Sequence, residues 1–170
     1  MRIYEGSPRQ NWEEVLRSIG AFADSERLKE LLILELEAGF VLQGLALPQA
    51  SVWAEGSGVL AKRTYELTDD QIGQLLDARL AARGGGTREA HEPQFYERAL
   101  RVVGAWIDDQ RAHDVFLFEQ EGSFVVRLFG ATGSPATGHS LAEFTRDDIT
   151  AMIERASERR QPAPERQPTR

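Results

Sequence analysis

No cysteine occurs in the 170 residues, so disulfides, thiolate metal sites and cysteine nucleophiles are excluded by inventory. Histidine is scarce as well. His91, His113 and His139 are the only three, and no two stand at the spacing that would set both on one helix face as metal ligands. Neither a metal nor a cofactor is expected. Lysine is reduced to Lys29 and Lys62, and acidic residues outnumber basic ones for a net charge of -7. A field of that sign repels phosphate backbones, and no basic stripe interleaved with aromatics opposes it, so nucleic acid is not an expected partner. Apolar runs fall well short of the roughly 20 residues a membrane-spanning helix needs, and Met1 to Gly6 leads into no apolar leader. The expectation is a cytoplasmic protein with no membrane contact.

Catalytic signatures are missing too. Ser134 and Ser140 lie near His139, but no G-x-S-x-G elbow and no acid partner accompany them. Gly56-Ser57-Gly58 and Gly84-Gly85-Gly86 neither follow a strand nor open a helix with the lysine of a phosphate loop, and read as turn and linker.

What is present is a repeat. Trp12 to Ala46 aligns with Tyr96 to Gly130 at a constant offset of 84, and eleven of the 35 pairs are identical, including Glu13/Glu97, Arg17/Arg101, Gly20/Gly104, Asp24/Asp108 and Glu35/Glu119. About two or three identities would arise from composition alone. After a loop seven residues shorter in the second copy the match resumes at offset 77, with Thr68/Thr145, Asp70/Asp147 and Ile72/Ile149. The reading is an α+β protein: a tandem duplication of an α-β-β-β-α unit, with antiparallel sheets, helices on one face and a pseudo-twofold. Residues 1–83 form the first copy, 84–93 a linker, 94–160 the second copy and 161–170 a disordered tail. One six-stranded sheet and two facing triplets are both compatible with the pattern.

Within each copy the periodicity predicts the elements. Ser7-Pro8-Arg9-Gln10 has the composition of a helix entry. Trp12, Val15, Leu16, Ile19 and Ala23 then repeat at helical spacing, as do Tyr96, Ala99, Leu100, Val103 and Ile107. Glu13, Arg17, Glu97 and Arg101 are expected on or beside the solvent face, pairing four apart along each helix. Gly20 and Gly104 are expected at equivalent positions packed against the sheet. Leu31 to Glu37 and Phe40 to Leu47 read as one hairpin, Val115 to Glu121 and Phe124 to Phe129 as another. Leu32, Leu34 and Leu36 are expected to share the dry face with Phe40 and Leu42, leaving Glu35 and Glu119 on the wetter one. Val59 to Leu67 and Ser140 to Phe144 supply third strands. Thr68 and Thr145 cap closing helices.

Five residues are candidates for binding. Glu35 and Glu119, with Glu37 and Glu121 beside them, occupy repeated positions where two carboxylates could converge for acid-base work; the plainer reading is solvated strand ends. Arg17 and Arg101 are retained in both copies. Trp53, between the second and third strands, has no counterpart and suits an interface anchor. Asp24/Arg27 and Asp108/Arg111 read as salt bridges fixing the turn after the first helix.

In its acidic, cysteine-free composition and its order of helix, strand triplet and helix, the chain resembles the secretion-chaperone-like fold of type III secretion chaperones and their stress-related relatives. That resemblance is architectural and carries no functional residue across. It implies binding of another polypeptide without cofactor or turnover. The expected function is therefore a non-catalytic protein-binding module, chaperone-like or regulatory, with another protein or a second copy as partner. A small-molecule-binding domain with its pocket between the copies and a carboxylate-dependent enzyme are the alternatives.

Overall fold

A computed structural model describes residues 11–46, 61–84, 95–110, 113–129 and 139–159. In chain order the elements are α1 (Trp12–Ser25), β1 (Leu28–Leu36), β2 (Gly39–Ala46), β3 (Ala61–Thr68), α2 (Asp69–Gly84), α3 (Phe95–Gln110), β4 (His113–Gln120), β5 (Ser123–Phe129), β6 (His139–Phe144) and α4 (Arg146–Glu158). The six strands form one antiparallel sheet in the order β3-β2-β1-β4-β5-β6. The first strands of the two triplets therefore meet at its centre, where Ile33 lies opposite Leu117. Of the two arrangements compatible with the sequence, the single sheet is the one formed.

All four helices cover one face. There α1 and α3 lie side by side over the middle, flanked by α2 and α4 respectively. Val15, Leu16, Ile19 and Ala23 from α1, and Ala99, Leu100, Val103 and Ile107 from α3, are completely buried against Leu31, Ile33, Leu42, Leu117, Val126 and Leu128 of the sheet. The helical apolar stripe therefore does what its spacing predicts.

The entry to α1 differs from the sequence reading. Asn11, in extended conformation, is the N-cap and accepts from the Glu14 N–H at 3.0 Å, so the helix begins at Trp12. Ser7 to Gln10 lie outside the described residues, as do Trp53, the linker after Gly84, and residues 161–170. Thr145 and Asp148 close a reciprocal capping box on α4, and Thr68 with Gln71 does the same for α2.

The phase of the central strand is also opposite to expectation. Leu31, Ile33 and Glu35 face the helices, whereas Leu34 and Leu36 are 38% and 45% exposed on the other face. Leu31 to Leu36 is apolar at every position but one, so alternation cannot set its phase. What sets it is a pair of bulges. Pairing shifts register between Lys29 and Leu32 of β1 and between His113 and Val115 of β4, with Glu30 and Asp114 at positive φ. A bulge leaves an N–H outside the ladder, and a buried N–H requires an acceptor. Glu119 accepts the Leu31 N–H at 3.1 Å, and Glu35 accepts the Val115 N–H at 2.8 Å.

Contacts between α1 and α3 follow the same exchange. Asp108 accepts the N–H groups of Trp12 and Glu13 at 2.9 and 3.0 Å, while Asp24 accepts those of Tyr96 and Glu97 at 3.2 and 2.8 Å. Each aspartate caps the other helix; Arg111, the expected partner of Asp108, lies outside the described residues. Gly20 and Gly104 pack against that opposite helix and not against the sheet. A Cβ on Gly20 would lie 2.4 Å from the Tyr96 carbonyl oxygen, and one on Gly104 would lie 2.4 Å from that of Trp12.

Candidate binding face

Among the described residues, all helices lie on one face of the sheet and none covers the second. Its residues follow from the ladder, because positions opposite one another share a face. One row across the sheet runs Glu66, Val41, Leu34, Phe116, Arg127, Leu141; the next runs Thr64, Gln43, Leu32, Phe118, Val125, Glu143. Leu32, Leu34, Phe116 and Phe118 form an apolar square at the centre, widened by Val41 and Val125. Leu36, Phe129 and Leu141 extend it, the last 66% exposed. Charged groups stand at the margin: Glu66 and Glu143 on the edge strands, Lys62 beyond Thr64, and Arg127 with its guanidinium 5.0 Å from the Phe129 ring centroid. Lone exposed leucines are ordinary, whereas a contiguous patch with a polar rim is not.

The carboxylates do not form a catalytic pair. Glu35 and Glu119 lie opposite sides of the Ile33–Leu117 pair, four strand residues or roughly 13 Å apart along the sheet, too far for two carboxyls to share a proton or a substrate atom. Glu119 is buried and occupied: besides the Leu31 N–H it accepts from the Gly122 N–H at 2.6 Å and the Tyr96 hydroxyl at 2.8 Å. Burial first, and then this bond to the Glu119 carboxylate, hold the Tyr96 hydroxyl well above its usual pKa, so it stays a donor. Glu37 and Glu121 are exposed in the hairpin turns.

Arg17 and Arg101 are not surface groups pairing along their own helices. Arg17 is buried and binds Glu97 through Nε at 2.8 Å and Nη2 at 2.7 Å; Arg101 binds Glu13 through Nε at 2.7 Å. Both ion pairs cross between α1 and α3. Sequence spacing identified the partners' residue types and placed them on the wrong helix, because the antiparallel helix pair brings each arginine to the other's first turn.

Among the described residues no group of three or more His, Asp or Glu is placed to hold a metal ion, and no helix is long and apolar enough to cross a membrane. A cleft of about 690 Å³ opens between Leu28 to Glu30 and the residues Phe95, Tyr96, Glu121 and Arg146. No protein-family model, no curated protein and no solved structure matches this chain.

The open face was within reach of the sequence but was missed. Alternation places Leu32 and Leu34 in the core, yet Phe116 and Phe118 at the matching positions make both phases of β4 apolar, the mark of a strand with two apolar faces.

Proposed function

We propose that this chain is a non-catalytic protein-binding module, built from two copies of an αβββα unit, that docks another polypeptide on the open face of its sheet. The duplication is supported by reciprocity. Trp12/Tyr96, Glu13/Glu97, Arg17/Arg101, Gly20/Gly104, Asp24/Asp108 and Glu35/Glu119 each meet the other copy's equivalent partner, and Ile33 faces its own counterpart Leu117. A pseudo-twofold axis then passes between Ile33 and Leu117, normal to the sheet.

The apolar centre of the open face carries the functional reading. Six strands about 4.8 Å apart and some seven residues long present a footprint of about 700 Å². That approaches the roughly 800 Å² per partner of a stable interface. A single helix about 10 Å wide covers only a third of such a face, so the partner presents a sheet or a pair of helices with an apolar centre. Lys62 and Arg127 against Glu66 and Glu143 balance the rim, although the whole chain is acidic, so the partner need not be basic. Holding apolar surface of another chain without turnover is chaperone-like in kind.

The test is Leu34→Glu combined with Phe118→Glu, at positions more than a third exposed and so tolerant of charge in the folded chain. Native extract is passed over wild type and variant in parallel. A protein retained in stoichiometric amount by the wild type and released by the variant supports the reading; identical profiles refute it. Sedimentation velocity of both forms separates the occupants, since a dimer that disappears in the variant makes the second copy the partner.

The cleft beside Tyr96 favours a second reading, a small-molecule site between the copies, because about 690 Å³ falls within the range of ligand pockets. A thermal-shift screen with Phe95→Ala as the control variant tests it.

A further inference from the structure

On the side of α1 and α3 away from the sheet, a cluster of charges is unevenly filled. Arg79 of α2 reaches over α1, pairing with Glu14 and donating from Nε to Ser18 Oγ at 3.1 Å. By the repeat, which this inference assumes, the equivalents of Arg79 and Glu14 are Ala156 on α4 and Arg98 on α3. The second copy has thus lost the inserted cation and replaced its carboxylate partner by a guanidinium. A cleft of about 150 Å³ remains, lined by Arg17, Glu97, Arg98, Arg101, Ala156 and Ser157 among others. That is the liquid volume of about five waters.

Charge and hydrogen bonding both identify what the cleft lacks. Four arginines, at 17, 79, 98 and 101, stand against three glutamates, at 13, 14 and 97, and among the described residues Arg98 makes no ion pair. Arg17 is 8% exposed, and its Nη1, like that of Arg79 in the first copy, is buried without a hydrogen-bond partner although Nε and Nη2 are held by Glu97. A buried guanidinium N–H left open calls for a water or an anion. Of the three lining arginines, Arg17 is paired with Glu97 and Arg101 with Glu13, so an incoming anion meets one uncompensated positive charge, that of Arg98.

We infer that the cleft between α3 and α4 binds a small oxyanion, a phosphate or carboxylate group, held by Arg17, Arg98 and Arg101. Planar guanidinium forks suit both groups. The anion completes in the second copy the charge balance that the Arg79–Glu14 pair provides in the first.

Calorimetric titration of the full chain in chloride buffer at constant ionic strength tests this, with inorganic phosphate in one arm and acetate in the other, each to about 10 mM. Saturable binding in either arm, weakened at least tenfold by Arg98→Ala, is expected, and the arm that binds names the oxyanion. A second variant, Arg98→Glu with Ala156→Arg, installs the first copy's ion pair and fills the cleft; it should fold and bind neither anion. Absence of saturable binding by the wild type in both arms, or undiminished binding by either variant, overturns the proposal and leaves water in the cleft. The filled variant also reports on the repeat separately: unchanged or raised thermal stability supports the equivalence of Arg79 and Ala156, while a fall of several degrees counts against it whatever the anion does.

Discussion

Replacing Gly20 by alanine sets two effects of opposite sign against each other. In the interior of a helix alanine is favoured over glycine by about 1 kcal/mol, so propensity alone predicts a more stable protein. The structure predicts the reverse. The new Cβ would stand 2.4 Å from the Tyr96 carbonyl oxygen and 2.9 Å from the Glu97 nitrogen, both backbone atoms that cannot turn aside. Relief requires α1 and α3 to separate by about 1 Å, with an overpacking cost of about 1–3 kcal/mol. The separation also strains the bonds from the Tyr96 and Glu97 N–H groups to Asp24 in the turn that follows, a cap worth about 0.5–2 kcal/mol. Net destabilisation of about 0.5–4 kcal/mol, centred near 2, follows once the propensity gain is subtracted. With a urea slope near 2 kcal/mol/M, the midpoint falls by about 1 M. Equilibrium urea unfolding followed by circular dichroism reads it directly. Gly104→Ala should fall by a similar amount, since its Cβ meets Trp12 in the same way. A rise in midpoint for either variant would mean that the helices do not approach at these glycines, and the packing argument would fail.

Glu119→Ala strands the Leu31 and Gly122 N–H groups and the Tyr96 hydroxyl at once. A loss of about 3–5 kcal/mol in the same urea assay is expected, and a loss under 1 kcal/mol would show that water replaces the carboxylate. Tyr96 also predicts an alkaline limit. Because its folded-state pKa is raised, its contribution is fully present below the unfolded value near 10 and declines as pH rises above that, where the unfolded chain sheds the proton first. Melting temperature should drop as pH rises above about 10, and Tyr96→Phe should flatten that slope while lowering stability at neutral pH; an unchanged slope would remove Tyr96 from the account.

Element types and order were legible because similar apolar patterns stood twice in one sequence. Helical spacing in α1 could be checked against α3, and the capping threonines against each other. The central junction was not legible, since strand order depends on which triplet edges meet, and nothing local encodes that. The buried glutamates misled for a definite reason: a carboxylate near a turn ordinarily seeks water, and only the bulges at Leu31 and Val115 create backbone donors able to bury one. Arg17 and Arg101 stand at matching sequence positions, but their partners lie across the helix pair, where sequence separation gives no guidance.

The exchange of caps and carboxylates between the halves bears on how the chain emerges from a ribosome. When the first half has been extruded, the inner edge of β1 is unpaired, and Glu35, Asp24 and the N-terminus of α1 await groups encoded some 72 to 96 residues away. At about 5–20 residues per second the wait lasts on the order of 4–19 s. Throughout it the nascent chain presents a sheet edge and the apolar stripe of a helix with no mate, so the interval of greatest exposure to misassembly is built into the order of translation.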